Sequence, residues 1–196
     1  MNSSYARHPE LLSAISSRLL LIDMQEKFRS VIPDFEHLVT GCQKLILAAG
    51  ILSIPVSATE QYPRGLGTTV PELAELVTDR EEKLRFSCAE CLSWATDGGR
   101  TDGRQQVVLA GIETHICLLQ TALDLLAAGF DVYVAADVTR SRRGEDQEFA
   151  LRRMSDAGVR LITSEMALFE WCEVAGNDQF KQISKLVTGR QETVPK

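Results

Sequence analysis

The fold of this chain is decided by residues 106–129, which read QVVLAGIETHICLLQTALDLLAAG. Residues 106–110 form a short apolar run, typical of a strand that is buried on both faces of a parallel sheet. A long helical pattern follows as far as Ala128, and Gly129 is predicted to end it. A buried strand that leads directly into a helix indicates a βαβ unit.

The same alternation of strand and helix runs through the rest of the chain. Asp34 is predicted to cap the first helix and Gly50 to end it, while the prolines and glycines of residues 60–69 predict a loop without regular structure. The pattern indicates an α/β fold with three layers (α/β/α) and a doubly wound, mostly parallel sheet of about six strands. Further strands are predicted at 18–23, 54–59, 82–85, 131–136 and 160–163, and helices at 34–49, 72–78, 90–95, 145–157, 165–171 and 178–186.

Composition excludes several classes of protein. The formal net charge of −6, from 21 basic and 27 acidic side chains, speaks against a nucleic-acid partner. No apolar run approaches the roughly 18–20 residues that cross a membrane, and residues 1–17 do not resemble a secretory signal. Five cysteines are an odd number and too few for a disulfide scaffold. We expect a cytoplasmic protein with one domain at residues 15–188 and flexible ends at 1–14 and 189–196.

The helix after Gly111 carries two apolar stripes, whereas an amphipathic surface helix needs only one. Such a helix is either central to the domain or partly buried between subunits, and we expect a homo-oligomer, a dimer or a tetramer. One stripe comprises Ile116, Leu119, Leu123 and Leu126, and the other Leu118, Ala122 and Leu125.

Chemically reactive side chains follow several of the predicted strands. Ligands of open parallel sheets bind beyond the carboxyl ends of the strands, because loops and helix N-termini converge there. The side chains predicted at those ends are Asp23, Thr59 and Glu60, Lys83, Cys117 after the turn at 111–114, and Asp137.

Three of these side chains form a coherent reactive set. Cys117 lies in the first turn of a helix, where the helix dipole and unpaired N–H groups favour a thiolate and can hold an oxyanion. Asp23 supplies a carboxylate that takes the thiol proton, and Lys83 supplies a cation that holds this carboxylate in place. The alternatives are a helix-capping role for Asp23 and simple core packing for Cys117.

The remaining candidates give weaker signals. His115 is two residues from Cys117, and such positions of a helix do not face each other. The three histidines are scattered and predict no metal site. Cys88 and Cys91 form one CxxC pair, which is poor support for zinc but leaves a thiol redox role open.

Four segments together resemble the isochorismatase-like cysteine hydrolase family, in particular its isochorismatase domain-containing branch. The family includes nicotinamidases and carbamoylsarcosine amidases, and the resemblance covers about residues 18–186. The segments are LLLIDMQEKF at 19–28, ATEQYPRGLG at 58–67, KLRFS at 83–87 and residues 107–142.

The resemblance implies specific roles for residues that the strand ends already single out. It implies that Asp23, Lys83 and Cys117 are the catalytic triad of a hydrolase with this fold. It also implies a cis peptide bond between Ile112 and Glu113. The backbone N–H groups of Glu113 and Cys117 are then expected to form the oxyanion hole.

Departures from the family pattern bear on metal and substrate. Metal-dependent nicotinamidases carry Asp-x-His in the loop after the second strand, whereas residues 59–63 contain no histidine, so no metal and no other cofactor is expected. Isochorismate-cleaving enzymes do not keep the cysteine, so Cys117 favours hydrolysis of a carbon–nitrogen bond in a small amide-type molecule. An isochorismate-type hydrolase and a non-catalytic oligomeric binding or regulatory module are the alternatives. Substrate contacts are predicted for Phe28, Glu60, Tyr62 and His115.

Overall fold

Six parallel strands form one sheet in the computed structural model, which describes residues 6–96 and 102–189. The spatial order is β3-β2-β1-β4-β5-β6, so the chain builds outward from the centre on one side and then on the other. All pairings are parallel, which confirms the predicted doubly wound fold and brings every carboxyl end to one edge. The strands are β1 (Ser17–Ile22), β2 (Val56–Gln61), β3 (Arg80–Lys83), β4 (Gln106–Ile112), β5 (Asp131–Arg140) and β6 (Arg160–Ile162).

Helices cover both faces of the sheet. The side chains of β1 show why its sequence is apolar throughout: Leu19 and Leu21 pack towards one helical layer, while Leu20 and Ile22 pack towards the other. The first layer contains α1, α6 and α7, and the second contains α4 and α5. The helices are α1 (Phe35–Ile51), α2 (Pro63–Leu66), α3 (Pro71–Ala74), α4 (Leu119–Ala127), α5 (Gly144–Asp156), α6 (Ser164–Cys172) and α7 (Asp178–Thr188).

The predicted long helix after β4 begins as a π-helical turn, Thr114–Leu118, and continues directly as α4. Of its two apolar stripes, one is buried in the second layer and the other is partly covered within the chain. The helix is therefore packed in the domain on one side and only partly covered on the other, so the structure of one chain leaves room for a subunit contact there. The half-covered side chains are Ile116, Leu123 and Leu126.

Both predicted ends of α1 need correction. The helix passes through Gly50 to Ile51, because glycine tolerates the helical conformation and the Leu52 N–H still bonds to Ala48. Asp34 occupies the N-cap position, but its side chain makes no capping hydrogen bond. Its backbone is left-handed (φ 52°) instead of extended, and an extended backbone is what normally directs a capping side chain at the free N–H groups.

Local structure between β2 and β4 also differs from the prediction. Residues 60–69 are not irregular throughout: β2 continues to Gln61, and Pro63 opens α2 because its fixed φ suits a first helical turn. The helix predicted at 72–78 is the shorter α3, and β3 lies at Arg80–Lys83 instead of 82–85. Residues 90–95 form turns, not a helix.

The packed part of the chain begins before residue 15. Leu12 is fully buried, and its N–H donates to the Glu170 carboxylate at 2.8 Å. Arg7 forms an ion pair with Glu173 at 2.9 Å, which ties the segment to α6. The outer parts of the predicted flexible ends, 1–5 and 190–196, lie outside the described residues. Within the described ranges, no helix has the length and apolar character required to cross a bilayer.

Gly111 allows the close approach of β4 to β1. Its φ is +112°, and a Cβ atom there would lie 2.2 Å from the main-chain oxygen of Ile22. We expect Gly111→Ala to lower the free energy of unfolding by at least about 2 kcal/mol, because a left-handed backbone and a main-chain clash both oppose the side chain.

Urea unfolding followed by circular dichroism measures this loss. Gly50→Ala is the matched control, since Gly50 lies in α1 with nothing within 4 Å of its added Cβ. That substitution should raise stability by about 0.5–1 kcal/mol. Equal midpoints for Gly111→Ala and the unaltered chain would contradict the assignment of strain.

Candidate active site

A buried ion pair occupies the carboxyl edge of the sheet. The Lys83 ammonium donates to Asp23 Oδ2 at 2.8 Å, and both side chains are only 1% exposed. Asp23 directly follows β1 with a left-handed backbone (φ 53°), and Lys83 is the last residue of β3. The two residues are 60 positions apart in sequence, and β2 lies between their strands. The parallel sheet thus brings together the carboxylate of Asp23 and the ammonium group of Lys83, as the strand ends predict.

Protein acceptors take all three protons of the Lys83 ammonium. Besides Asp23, the Gln61 side-chain oxygen accepts at 2.7 Å and the Phe86 carbonyl oxygen at 3.0 Å. Burial lowers the pKa of Lys83, but on balance the pKa is raised, and the negative charge of Asp23 is the largest cause that raises it. Lys83 is therefore a positively charged group whose protons are donated to acceptors within the protein.

Gln61 is a site residue that the sequence prediction missed. Its Nε2 donates to the Leu84 carbonyl at 2.8 Å, which orients the amide oxygen towards Lys83. The main chain of Gln61 is held as well, because its N–H donates to Gln25 Oε1 at 2.8 Å and its carbonyl accepts from Gln25 Nε2 at 3.0 Å. The sequence prediction ended β2 at residue 59 because Pro63, Gly65 and Gly67 predict a loop, which placed Gln61 outside the strand.

Thr59 and Cys88 complete the hydrogen bonding of Asp23. The Thr59 hydroxyl donates to Asp23 Oδ1 at 2.8 Å, and the Cys88 Sγ lies 3.4 Å from the same hydroxyl oxygen. Because the one hydroxyl proton is directed at the carboxylate, the Cys88 thiol is the donor in the second contact. A chain of hydrogen bonds thus runs from Cys88 through Thr59 to Asp23.

Cys117 completes the predicted triad. It lies in the π-helical turn after β4, is 7% exposed, and its thiol lies near enough to Asp23 for the charge of the carboxylate to act on it. Burial raises the pKa of the Cys117 thiol, and the negative charge of Asp23 raises it further, while Lys83 opposes the shift. The expectation that the helix N-terminus favours a thiolate is wrong here, because burial and a neighbouring carboxylate outweigh the dipole. The resting form is the neutral thiol.

The main chain next to Cys117 has the conformation that the resemblance implied. The peptide bond between Ile112 and Glu113 is cis. The Glu113 carboxylate accepts hydrogen bonds from the Arg142 backbone N–H and from its Nε, each at 3.0 Å. These bonds tie the junction of β4 and the π-helical turn to the loop after β5. The predicted oxyanion-hole groups, the N–H groups of Glu113 and Cys117, both belong to this junction.

Comparison with protein families identifies the relatives of the chain. Residues 17–166 match the family model described as the isochorismatase domain, which is more than half of the sequence. The chain belongs to the isochorismatase family. Isochorismatase domain-containing protein 2A of Mus musculus is 42% identical over 180 residues, covering 92% of this chain and 85% of that protein. The predicted resemblance is confirmed.

Solved structures of the isochorismatase-like fold agree with this assignment. A protein from Caenorhabditis elegans described as MAR1 ribonuclease is 39% identical, with a TM-score of 0.83 and 94% of each chain covered. The YcaC gene product of Escherichia coli, described as an octameric hydrolase of unknown specificity, is 23% identical. Its TM-score is 0.74, with 94% of this chain and 98% of that chain covered, and it supports the fold.

Tyr62 lies next to Lys83 in this isochorismatase-family chain, its N–H donating to the Lys83 carbonyl at 2.9 Å, and Phe28 packs on the core. The Tyr62 side chain is half-exposed and lines a cavity of about 360 Å³ together with Lys83, Leu84 and neighbouring residues. Phe28 is half-buried in the 3₁₀ turn Glu26–Phe28 after β1, where it packs against the apolar core beneath α1. Substrate contact remains a prediction for both.

Glu60 and His115 point away from the ion pair. Neighbouring residues of a strand face opposite sides, so Glu60 turns from Lys83 and accepts the Thr69 N–H at 2.8 Å and its hydroxyl at 2.7 Å. The His115 Nδ1 contacts the Ser141 hydroxyl at 2.9 Å. Glu60 therefore fastens a loop, and His115 is not the base of Cys117.

The loop at 62–69 is attached at three consecutive residues near its end. The Gln25 amide donates to the Gly67 carbonyl, the Glu26 N–H donates to the Thr68 carbonyl at 3.0 Å, and Glu60 binds Thr69.

Across 6–96 and 102–189, no three His, Cys, Asp or Glu side chains come together in a way that could hold a metal ion.

We expect Asp23→Asn to lower the pKa of the Cys117 thiol, because the substitution removes the negative charge that raises it. At pH 8 the thiolate fraction, and with it the rate of alkylation by iodoacetamide, should rise roughly tenfold for each unit of decrease. In the unaltered chain the rate should keep rising above pH 9.

Peptide mass spectrometry measures the rate for each cysteine separately. Tryptic peptide 105–140 contains Cys117 as its one cysteine, and peptide 161–181 contains Cys172, whose raised pKa is caused by burial and not by Asp23. The Cys172 rate should stay constant and is the internal control. An unchanged or slower Cys117 reaction in a variant with an unaltered urea midpoint would show that Asp23 does not act on this thiol.

Proposed function

We propose that the protein is a metal-independent cysteine hydrolase that cleaves an amide-type carbon–nitrogen bond in a small molecule. The observation that carries the proposal is that the Cys117 thiol lies near the Asp23 carboxylate, which Lys83 holds at 2.8 Å. A nucleophile paired with a base that is itself oriented by a third group is the arrangement that covalent hydrolysis requires.

In the first half-reaction the Cys117 sulfur attacks the carbonyl carbon of the amide. Its proton passes to Asp23 as the carbon–sulfur bond forms, which removes the need for a thiolate at rest. The N–H groups of Glu113 and Cys117 donate to the oxyanion. Asp23 then gives the proton to the leaving nitrogen, ammonia or an amine departs, and a thioester remains on Cys117.

In the second half-reaction water hydrolyses the thioester. Asp23 takes a proton from the attacking water, the carbon–sulfur bond breaks, and the sulfur recovers its proton from Asp23. The products are a carboxylic acid and a regenerated thiol. No metal is needed in this scheme, because Asp23 moves the proton and main-chain donors stabilise the charge that develops on oxygen.

Lys83 acts in this scheme through Asp23. Its three protons are already bound by Asp23, Gln61 and the Phe86 carbonyl, so it has no donor left for a substrate. The cavity of about 360 Å³ beside Tyr62 and Leu84 has the size of a site for a small molecule. We propose this cavity as the way by which the substrate reaches the sulfur.

Two other reactions are candidates, and the site favours them less. An isochorismate-type reaction protonates a vinyl ether and gives the buried Cys117 thiol no role. Cleavage of RNA is suggested by the description of the Caenorhabditis elegans relative as a ribonuclease. Sulfur is a suitable nucleophile for an acyl carbon, whereas a polyanionic substrate is repelled by the net charge of −6.

The proposal includes a cellular compartment and an oligomeric state for the enzyme. All five cysteines are free thiols, which suits a reducing compartment such as the cytoplasm. The half-covered stripe at Ile116, Leu123 and Leu126 supports a homo-oligomer, and the Escherichia coli protein of the same fold is described as octameric. The alternative of a non-catalytic binding module predicts a partner but no turnover.

We expect Cys117→Ala to abolish turnover, with a loss of at least about 1000-fold, because no other sulfur occupies its place. The substrate is first found by screening small amides, imides and carbamoyl compounds for ammonia release. Cys91→Ser is the control, since Cys91 lies outside the hydrogen bonding of Asp23 and should leave turnover within about twofold.

The screen also distinguishes the alternatives. Isochorismate and a fluorescently labelled RNA are included as separate arms, and each positive arm is repeated with Cys117→Ala. A covalent adduct on peptide 105–140 during turnover of an amide would support the thioester. Amide turnover that survives in folded Cys117→Ala, or RNA cleavage as the only activity, would overturn the proposal.

A further inference from the structure

A second thiol lies next to the triad and has no role in the proposed hydrolysis. Cys88 follows β3 by five positions and is fully buried. Its sulfur contacts the Thr59 hydroxyl that binds Asp23. Burial raises the pKa of the Cys88 thiol to about 12, because no neighbouring charge makes up for the loss of contact with water. Cys88 is therefore a neutral thiol inside the site.

Two short connections join Cys88 to Cys117. The hydroxyl of Thr121 accepts the Cys88 N–H at 2.9 Å and donates to the Cys117 carbonyl at 2.7 Å. A single hydroxyl group thus links the main chains of the two cysteines, so the two segments lie side by side, which a disulfide between them requires. The side chains are connected as well: the Cys88 thiol contacts the Thr59 hydroxyl that binds Asp23, and the charge of Asp23 acts on the Cys117 thiol.

Cys91, the other cysteine of the CxxC pair, is oriented differently. Its thiol donates to the Cys88 carbonyl oxygen at 3.2 Å and is half-buried. The Cys88 thiol points instead to Thr59 and the triad. The geometry therefore separates the pair that the sequence suggested for a redox role and offers Cys117 as the partner of Cys88.

We propose that Cys88 is a resolving thiol that captures oxidised Cys117 in an intramolecular disulfide. In the first step the Cys117 sulfur attacks a peroxide, the O–O bond breaks, and Cys117 becomes a sulfenic acid while the leaving oxygen departs as water or an alcohol. In the second step the Cys88 sulfur attacks the Cys117 sulfur. The S–O bond breaks, water leaves, and the disulfide forms.

The hydrogen-bond chain supplies the proton path for both steps. Asp23 accepts the Cys117 proton during attack on the peroxide, as it does during attack on an amide. The Cys88 proton passes to Thr59 while the Thr59 proton passes to Asp23, which protonates the departing hydroxide. Because Cys117 is 7% exposed and Cys88 is fully buried, the peroxide meets Cys117 first. The disulfide shields Cys117 from further, irreversible oxidation.

Peroxide treatment of the full chain followed by non-reducing peptide mapping tests the proposal. The protein is exposed to hydrogen peroxide, its free thiols are blocked with iodoacetamide, and it is digested with trypsin. Peptide 86–100 contains Cys88 and Cys91, and peptide 105–140 contains Cys117. We expect the two peptides to be joined, two hydrogens lighter than their sum, and to separate on reduction. Intact mass confirms that the link lies within one chain.

Three variants sharpen the result. Cys91→Ser should keep the link between the peptides. Cys88→Ala should lose it, and Cys117 should then gain two oxygen atoms at least several-fold more than in the unaltered chain. Cys88→Ser keeps a donor to Thr59 but forms no disulfide, so it replaces Cys88→Ala if that variant does not fold.

Two outcomes overturn the proposal. One is a disulfide confined to peptide 86–100, which would pair Cys88 with Cys91. The other is equal over-oxidation of Cys117 with and without the Cys88 thiol. Neither readout uses the unknown substrate, so a failure here is distinguishable from a failure of the proposed hydrolysis.

Discussion

The buried ion pair of Asp23 and Lys83 is the interaction on which the rest of the site depends. Removing two charges from water costs several kcal/mol for each ion, and the attraction between them compensates only when further hydrogen bonds satisfy both groups. Thr59 supplies one such bond to the carboxylate, while Gln61 and a main-chain carbonyl serve the ammonium. The ends of β1, β2 and β3 are therefore fixed relative to one another by charge as much as by the sheet.

The same pair determines how the sulfur atoms behave. Burial first, and the nearby Asp23 carboxylate second, raise the pKa of both thiols, so Cys117 and Cys88 are neutral at rest. Reactivity then depends on moving a proton during bond formation, and Asp23 is the acceptor that both thiols can reach, one directly and one through Thr59. In both the proposed hydrolysis and the proposed disulfide formation, Asp23 is the proton acceptor.

The sequence was sufficient for the parallel sheet and for the three side chains that meet at its edge, because buried strands and residues after their ends are local patterns. The sequence was insufficient where the position of a side chain depends on the residue at which a strand ends. Ending β2 at residue 59 left Gln61 in a loop and hid its contact with Lys83, and strand alternation turned Glu60 to the other side. The effect of the helix dipole on the pKa of Cys117 was overestimated, because the sequence does not show how deeply this one thiol is buried.

The loop at 62–69 has a consequence for selectivity. If the proposed cavity beside Tyr62 is the entrance, the attachments of the loop to Gln25, Glu26 and Glu60 keep that entrance in one shape before any molecule arrives. An entrance with so many tethers discriminates by exclusion: compounds that match its outline enter, and bulkier ones stay outside without any closing movement. Diversification of what the enzyme accepts would then require changes in the few side chains that the loop exposes, such as Tyr62, while its anchors stay constant.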